Sequence, residues 1–117
     1  MIAAMTTGEV LAVGRIRQWA IDRSALRHGR TTDLTRIGWK QRRERQFDAR
    51  LVRVLSFEQV FKSLDLVGQL LLTALYRDYQ SEETAAQMAG ISLRALNYKL
   101  PEARRKLADL LDQADLL

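Results

Sequence analysis

The sequence predicts an all-α protein, a helical bundle, and three observations carry that prediction. There are six glycines and one proline in 117 residues, no Asn-Gly or Asp-Gly pair marks a hairpin, and apolar residues recur at three- and four-residue spacing along most of the chain. At this length, with 47% hydrophobic and 28% charged residues, one domain with a real core is expected without disulfides or structural metal.

The first helix is expected from about Thr7 to Arg27. Thr6 or Thr7 serves as N-cap, and Val10, Val13, Trp19 or Ala20, and Leu26 recur at helical spacing beside Leu11, Ile16 and Ile21. GRTTDLTRIGWK, with two glycines and several cap-type side chains, reads as a loop or short turn. A second helix begins around Trp39 to Arg42, carries Phe47, Leu51, Val54 and Leu55, and ends at Ser56. There Ser56 and Gln59 stand at capping-box spacing, either opening a third helix or re-capping a continuous one, with Val60, Phe61 and Leu64 inward. Phe47, Phe57 and Phe61 are read as core, as are Trp19 and Trp39, and His28 as a surface residue.

From Asp65 the pattern is denser. Asp65 caps a helix with Leu66, Leu70, Leu71, Ala74 and Leu75 apolar, running out at the polar stretch Arg77 to Gln80. Ser81 caps a short helix whose first turn holds Glu82 and Glu83, where the helix dipole favours acids. Ala89, Gly90 and Ile91 make a tight connection, and Ser92 caps a helix from Leu93 to about Leu100. Pro101 removes an amide donor and disfavours helical geometry at Leu100, so a kink or a fresh helix is expected there. The last helix, to about Ala114, has Ala103, Leu107, Leu110 and Leu111 on its apolar face.

Several function classes are excluded at this level. Zero cysteines and one histidine remove thiolate metal sites and cysteine nucleophiles. No paired carboxylates, nucleophile-base arrangement or phosphate loop stands out, so neither an enzyme nor a cofactor is expected. The opening segment has no basic region ahead of an apolar one, and the greasiest window, Leu66 to Leu75, is half a membrane span; a cytoplasmic protein is expected.

The net charge of +5 is unevenly placed. Residues 23–53 hold ten basic side chains against three acids, a local +7, whereas residues 54–117 hold seven against nine, a local −2. The central excess, above all Lys40, Arg42, Arg43 and Arg45, is a candidate surface for phosphates or for an acidic partner.

Glu82 to Leu100 meets the requirements of a helix-turn-helix. Ala85 and Ala86 are small enough for a close helix crossing, Gly90 tolerates positive φ in the turn, Ile91 plugs the core, and Leu96 and Leu100 face inward. Leu93, Arg94, Asn97, Tyr98 and Lys99 then face outward, residue types that reach base edges and phosphates from a major groove.

The run ETAAQMAGISLRALNYKLPEARRKL, with LDLVGQLLLTALYRDYQS before it, resembles region 4 of bacterial RNA polymerase sigma factors, and GISLRALNYKL is also similar to the Fis-type helix-turn-helix. The resemblance covers Leu64 to Leu107. It implies a C-terminal helix-turn-helix at 61–117 behind an N-terminal helical module at 1–60, the two forming one compact unit. It also implies duplex DNA as partner, with Leu93, Arg94, Asn97, Tyr98 and Lys99 on the recognition helix and Arg104 and Arg105 on phosphates. The chain is too short for a second sigma-type domain, so a stand-alone, phage-type transcription regulator is the reading that fits. Contact with RNA polymerase is implied by the resemblance as well. Two alternatives stay open: a module that docks polymerase or a sigma partner without reading DNA, and a homodimer formed through the N-terminal helix.

Overall fold

The computed structural model describes residues 5–28 and 37–117, with side chains described for 5–27 and 45–117. The expected loop at 29–36 and the side chains of His28, Trp39, Lys40, Arg42 and Arg43 lie outside the described residues. Five helices follow in order: α1 (Thr7–His28), α2 (Ile37–Phe61), α3 (Leu66–Leu72), α4 (Glu82–Ala89) and α5 (Leu93–Gln113). No strand occurs among the described residues. The protein is an all-α bundle, and among the described residues no helix is long and apolar enough to cross a membrane.

The core is built on one face of α5. Leu96, Leu100, Ala103, Leu107, Ala108 and Leu111 are buried there at the three- and four-residue spacing that puts side chains on one side of a helix. Burying a leucine of this kind is worth about 1.5–3 kcal/mol relative to leaving it in water. The first half of this face meets α3 and α4, and α1 also packs along α5. Gly68 of α3 allows close approach, because a Cβ there would sit 3.4 Å from the Ala103 Cβ. Pro101 neither kinks the chain into a new element nor begins one: α5 runs unbroken from Leu93 to Gln113. Leu100 and Ala103, buried on either side of it, tie both halves of the helix into one core, and packing outweighs the one hydrogen bond that proline forfeits.

In α1 the buried stripe is Glu9, Ala12, Val13, Ile16, Trp19 and Asp22, whereas Val10, Leu11 and Ile21 are exposed. The apolar spacing alone misplaces this face because two of its members are carboxylates. Asp22, 2% exposed, accepts from Arg53 Nε and Nη2, each at 2.9 Å, and from Gln18 Nε2 at 3.2 Å. One helical turn away, Arg23 and the Trp19 indole N–H both donate to Glu58 Oε1, at 2.7 and 3.1 Å. These contacts register α1 against α2 as an antiparallel pair. Trp19 stacks among Phe57 and Phe61, with ring centroids 5.2 and 5.5 Å away, and the Arg77 guanidinium lies 5.1 Å above it.

That register explains a further departure in α2. Counted from the Asp22–Arg53 pair, Phe47 is level with the end of α1, so no helix covers it, and it stands 43% exposed. Leu55 and, marginally, Leu51 are exposed because they lie off the buried stripe of Val54, Phe57 and Phe61. Of the two alternatives at Ser56 the continuous helix is the one present, with that stripe running across it without a break.

After α3 the helix widens into a π-helical turn, Thr73–Arg77, closed by the Asp78 amide donating to the Thr73 carbonyl at 3.0 Å. The turn directs Tyr76 and Arg77 toward α5 and Trp19 respectively.

The hydrogen bonds from Arg53 outweigh the burial of Asp22 and hold its carboxyl below the ordinary 3.8. A carboxylate whose folded pKa is lowered stabilises the fold fully above its unfolded value and progressively less as pH falls through the folded one. Stability measured by denaturant titration is expected to drop below about pH 4, and Asp22→Asn should lower stability at neutral pH while flattening that acid limb.

Candidate nucleic-acid interface

The α4–α5 unit is fixed by local chemistry at each junction. The Ser81 hydroxyl accepts from the Thr84 amide at 3.1 Å and so caps α4. Ala85 and Ala86 are buried where α4 meets its neighbours. At the other end Gly90 takes φ 69°, ψ 31°, the left-handed conformation in which glycine carries no Cβ penalty. The Ile91 amide then reaches back to the Ala86 carbonyl at 3.0 Å, the six-to-one bond of a Schellman ending. Two residues later the Ser92 hydroxyl accepts from the Ala95 amide at 3.0 Å and starts α5. Helix, turn and helix are therefore specified by residues within a twelve-residue window.

With Leu96 and Leu100 inward, the opposite side of α5 presents Arg94, Asn97, Tyr98 and Lys99, all exposed, Tyr98 at 66%. Leu93 is exposed at the start of the helix. None of Arg94, Asn97, Tyr98 and Lys99 makes a side-chain hydrogen bond or ion pair to another described residue. By helical spacing Arg94, Tyr98 and Arg105 form one outward stripe, and Arg105 and Lys106 are exposed too. Glu82, Glu83 and Glu102 are exposed acids of the same unit, with Asp109 and Asp112 exposed further along α5.

Arg104 departs from the expected phosphate-facing role. Its side chain is only 13% exposed, with Nε 3.7 Å from Glu9 Oε1 and Nη1 donating to the Tyr76 hydroxyl at 2.9 Å. The reason is angular: position 104 falls on the flank of α5 that α1 and the π-helical turn cover, one step round from its neighbour Arg105. Glu9 is itself locked at the start of α1 by a reciprocal pair, its Oε2 accepting from the Thr6 amide at 2.7 Å and its amide donating to the Thr6 hydroxyl at 3.2 Å. Burial pushes the Glu9 carboxyl up, but the bonds from Thr6 and the charges of Arg104 and Arg105 outweigh it and leave it below the ordinary 4.5. Sequence reasoning missed the Glu9–Arg104–Tyr76 link, although Thr6-x-x-Glu9 has the spacing of a capping box and was its only local sign.

The second basic group sits on α2. Arg45 is exposed, and Lys40, Arg42 and Arg43 share its helix. Ser56, Gln59, Val60 and Ser63 line a shallow groove with Leu110, Ala114 and Leu116, so α2 meets α5 through the C-terminal halves of both helices. Arg45 is about 16 Å along α2 from that contact and Arg94 about 24 Å along α5, so the contact does not itself bring the two basic groups together. Among the described residues no three His, Cys, Asp or Glu side chains are gathered as metal ligands. Comparison with protein-family models, curated proteins and solved structures finds no match for this chain.

The two adjacent arginines should separate cleanly. Arg104→Ala leaves Glu9 buried without its nearest cation and is expected to cost about 2–4 kcal/mol in denaturant unfolding, whereas Arg105→Ala should stay within about 0.5 kcal/mol of wild type.

Proposed function

We propose that the protein is a sequence-specific DNA-binding transcription regulator that seats residues 93–100 of α5 in the major groove. The observation that carries this reading is the outward tract Arg94, Asn97, Tyr98 and Lys99, exposed and without side-chain partners among the described residues, on a helix fixed by the Ser92 cap and the Gly90 turn. Those side chains stay hydrated and contribute nothing to the core, and binding residues are commonly carried in exposed positions held by a rigid scaffold. Arg94 and Asn97 would read base edges, while Lys99 and Arg105 would hold phosphates and set the register of the helix on the duplex. The α2 cluster of Lys40, Arg42, Arg43 and Arg45 would add a second backbone contact. Work on DNA places the protein in the cytoplasm of a bacterial cell, and the resemblance to sigma region 4 extends the proposal to contact with RNA polymerase.

A second reading is favoured by one observation. Glu82, Glu83 and Glu102 are exposed around the recognition helix, and DNA-reading surfaces are usually basic throughout. On that reading the same unit docks RNA polymerase or a sigma partner without reading DNA.

Salt dependence discriminates between them. For about six phosphate contacts the logarithm of affinity for duplex DNA should fall with the logarithm of salt concentration at a slope near −5, and Arg105→Ala should reduce that slope by about one while weakening all sequences alike. A flat salt response, or binding to purified polymerase with no affinity for duplex, would select the docking module. A palindromic preferred site would indicate that two copies bind together.

A further inference from the structure

Resting on the DNA-reading function proposed above, we infer that Arg94 and Asn97 specify neighbouring base pairs, a G·C pair read by Arg94 and an A·T pair read by Asn97. Donor and acceptor geometry distinguishes the two side chains. A guanidinium offers two parallel N–H donors, which match O6 and N7 of guanine in the major groove. A carboxamide offers one donor and one acceptor side by side, which match N7 and the N6 amino group of adenine. Among the exposed residues of the outward tract, only Arg94 and Asn97 present two hydrogen-bonding atoms in one plane. Lys99 is a single flexible ammonium and Tyr98 a single hydroxyl, suited to phosphate or sugar.

Spacing fixes how the two readings relate. Residues three apart on a helix are neighbours on its surface and are offset by about 4.5 Å along the axis, close to the 3.4 Å step between stacked base pairs. Two two-point readers at that offset address adjacent steps, not distant ones. Both lie in the first turn and a half of α5, the end that a recognition helix brings nearest the bases, and the Ser92–Ala95 bond of 3.0 Å holds the start of that helix in place. Asn97 supplies an independent indication. Asparagine is among the poorer helix formers, yet it stands within α5, exposed and bonded to no other described side chain, so the fold gains nothing from its carboxamide.

The test is selection from a random duplex library with the full chain at moderate salt, followed by titration of the enriched site and all of its single-pair replacements. An enriched site with adjacent G·C and A·T pairs is expected. Arg94→Ala should abolish discrimination at the G·C pair alone and Asn97→Ala at the A·T pair alone, each by about 5- to 150-fold, while Asn97→Gln should retain adenine and Lys99→Ala should weaken every duplex equally. Both alanine variants lie on the exposed side of α5, and unchanged thermal unfolding would confirm that they fold. An enriched site without the adjacent pairs, or variants that lose affinity evenly across all positions, would overturn the inference and leave DNA reading standing. No enrichment of any site would remove the DNA-reading function, and this inference with it.

Discussion

One face of α5 serves two purposes along its length. Near its start, Leu96 and Leu100 seat the helix on α3 and α4; further on, Leu107, Ala108 and Leu111 complete a core to which Ala12, Ile16 and Trp19 of α1 also belong. Because it is a single unbroken helix, orientation at one end is transmitted to the other without a hinge. The side chains offered outward by Arg94 to Lys99 are therefore aimed by local packing and also by packing 8 to 17 residues downstream.

Polar contacts refine that packing. Glu9 and Arg104 face one another where α1 crosses α5, and Tyr76 of the π-helical turn closes the group from a third side. A second clasp, Asp22 with Arg53, fixes α1 on α2. Each clasp joins residues far apart in the chain and leaves no carboxylate buried without a cation, the condition under which an interior charge specifies geometry and not merely costs desolvation. Arg104 and Arg105, identical in type and adjacent in sequence, end in opposite roles because 100° of helical rotation separates an interface flank from open solvent.

How much of this was legible depended on the distance over which each feature is determined. The Ser81 and Ser92 caps, the Gly90 turn, the alanines of α4 and the inward leucines of α5 were readable because each is decided within four or five residues. The apolar spacing pointed the α1 face toward Val10, Leu11 and Ile21, because nothing local marks Glu9 and Asp22 as interior until their partners, 95 and 31 residues away, are known. Phe47 looked like core because nothing local tells where a neighbouring helix runs out. Pro101 looked like a boundary because local rules set the lost hydrogen bond against nothing, whereas the buried residues on either side of it keep the helix whole. In the candidate site, the outward set on α5 followed from helical spacing, and only the assignment of Arg104 needed tertiary structure.

The position of α1 has a consequence for any attempt to isolate the smallest working piece. The C-terminal segment from residue 61 onward contains α3, α4 and α5 whole, and the sequence alone invites a cut there. Such a fragment would lift α1 from Leu107, Ala108 and Leu111, strip the carboxylate from Arg104, and remove the indole beneath Arg77. What remained would keep its caps and its turn but lose the surface that gives α5 a fixed direction. The exposed tract of α5 and the N-terminal helix are one mechanical object.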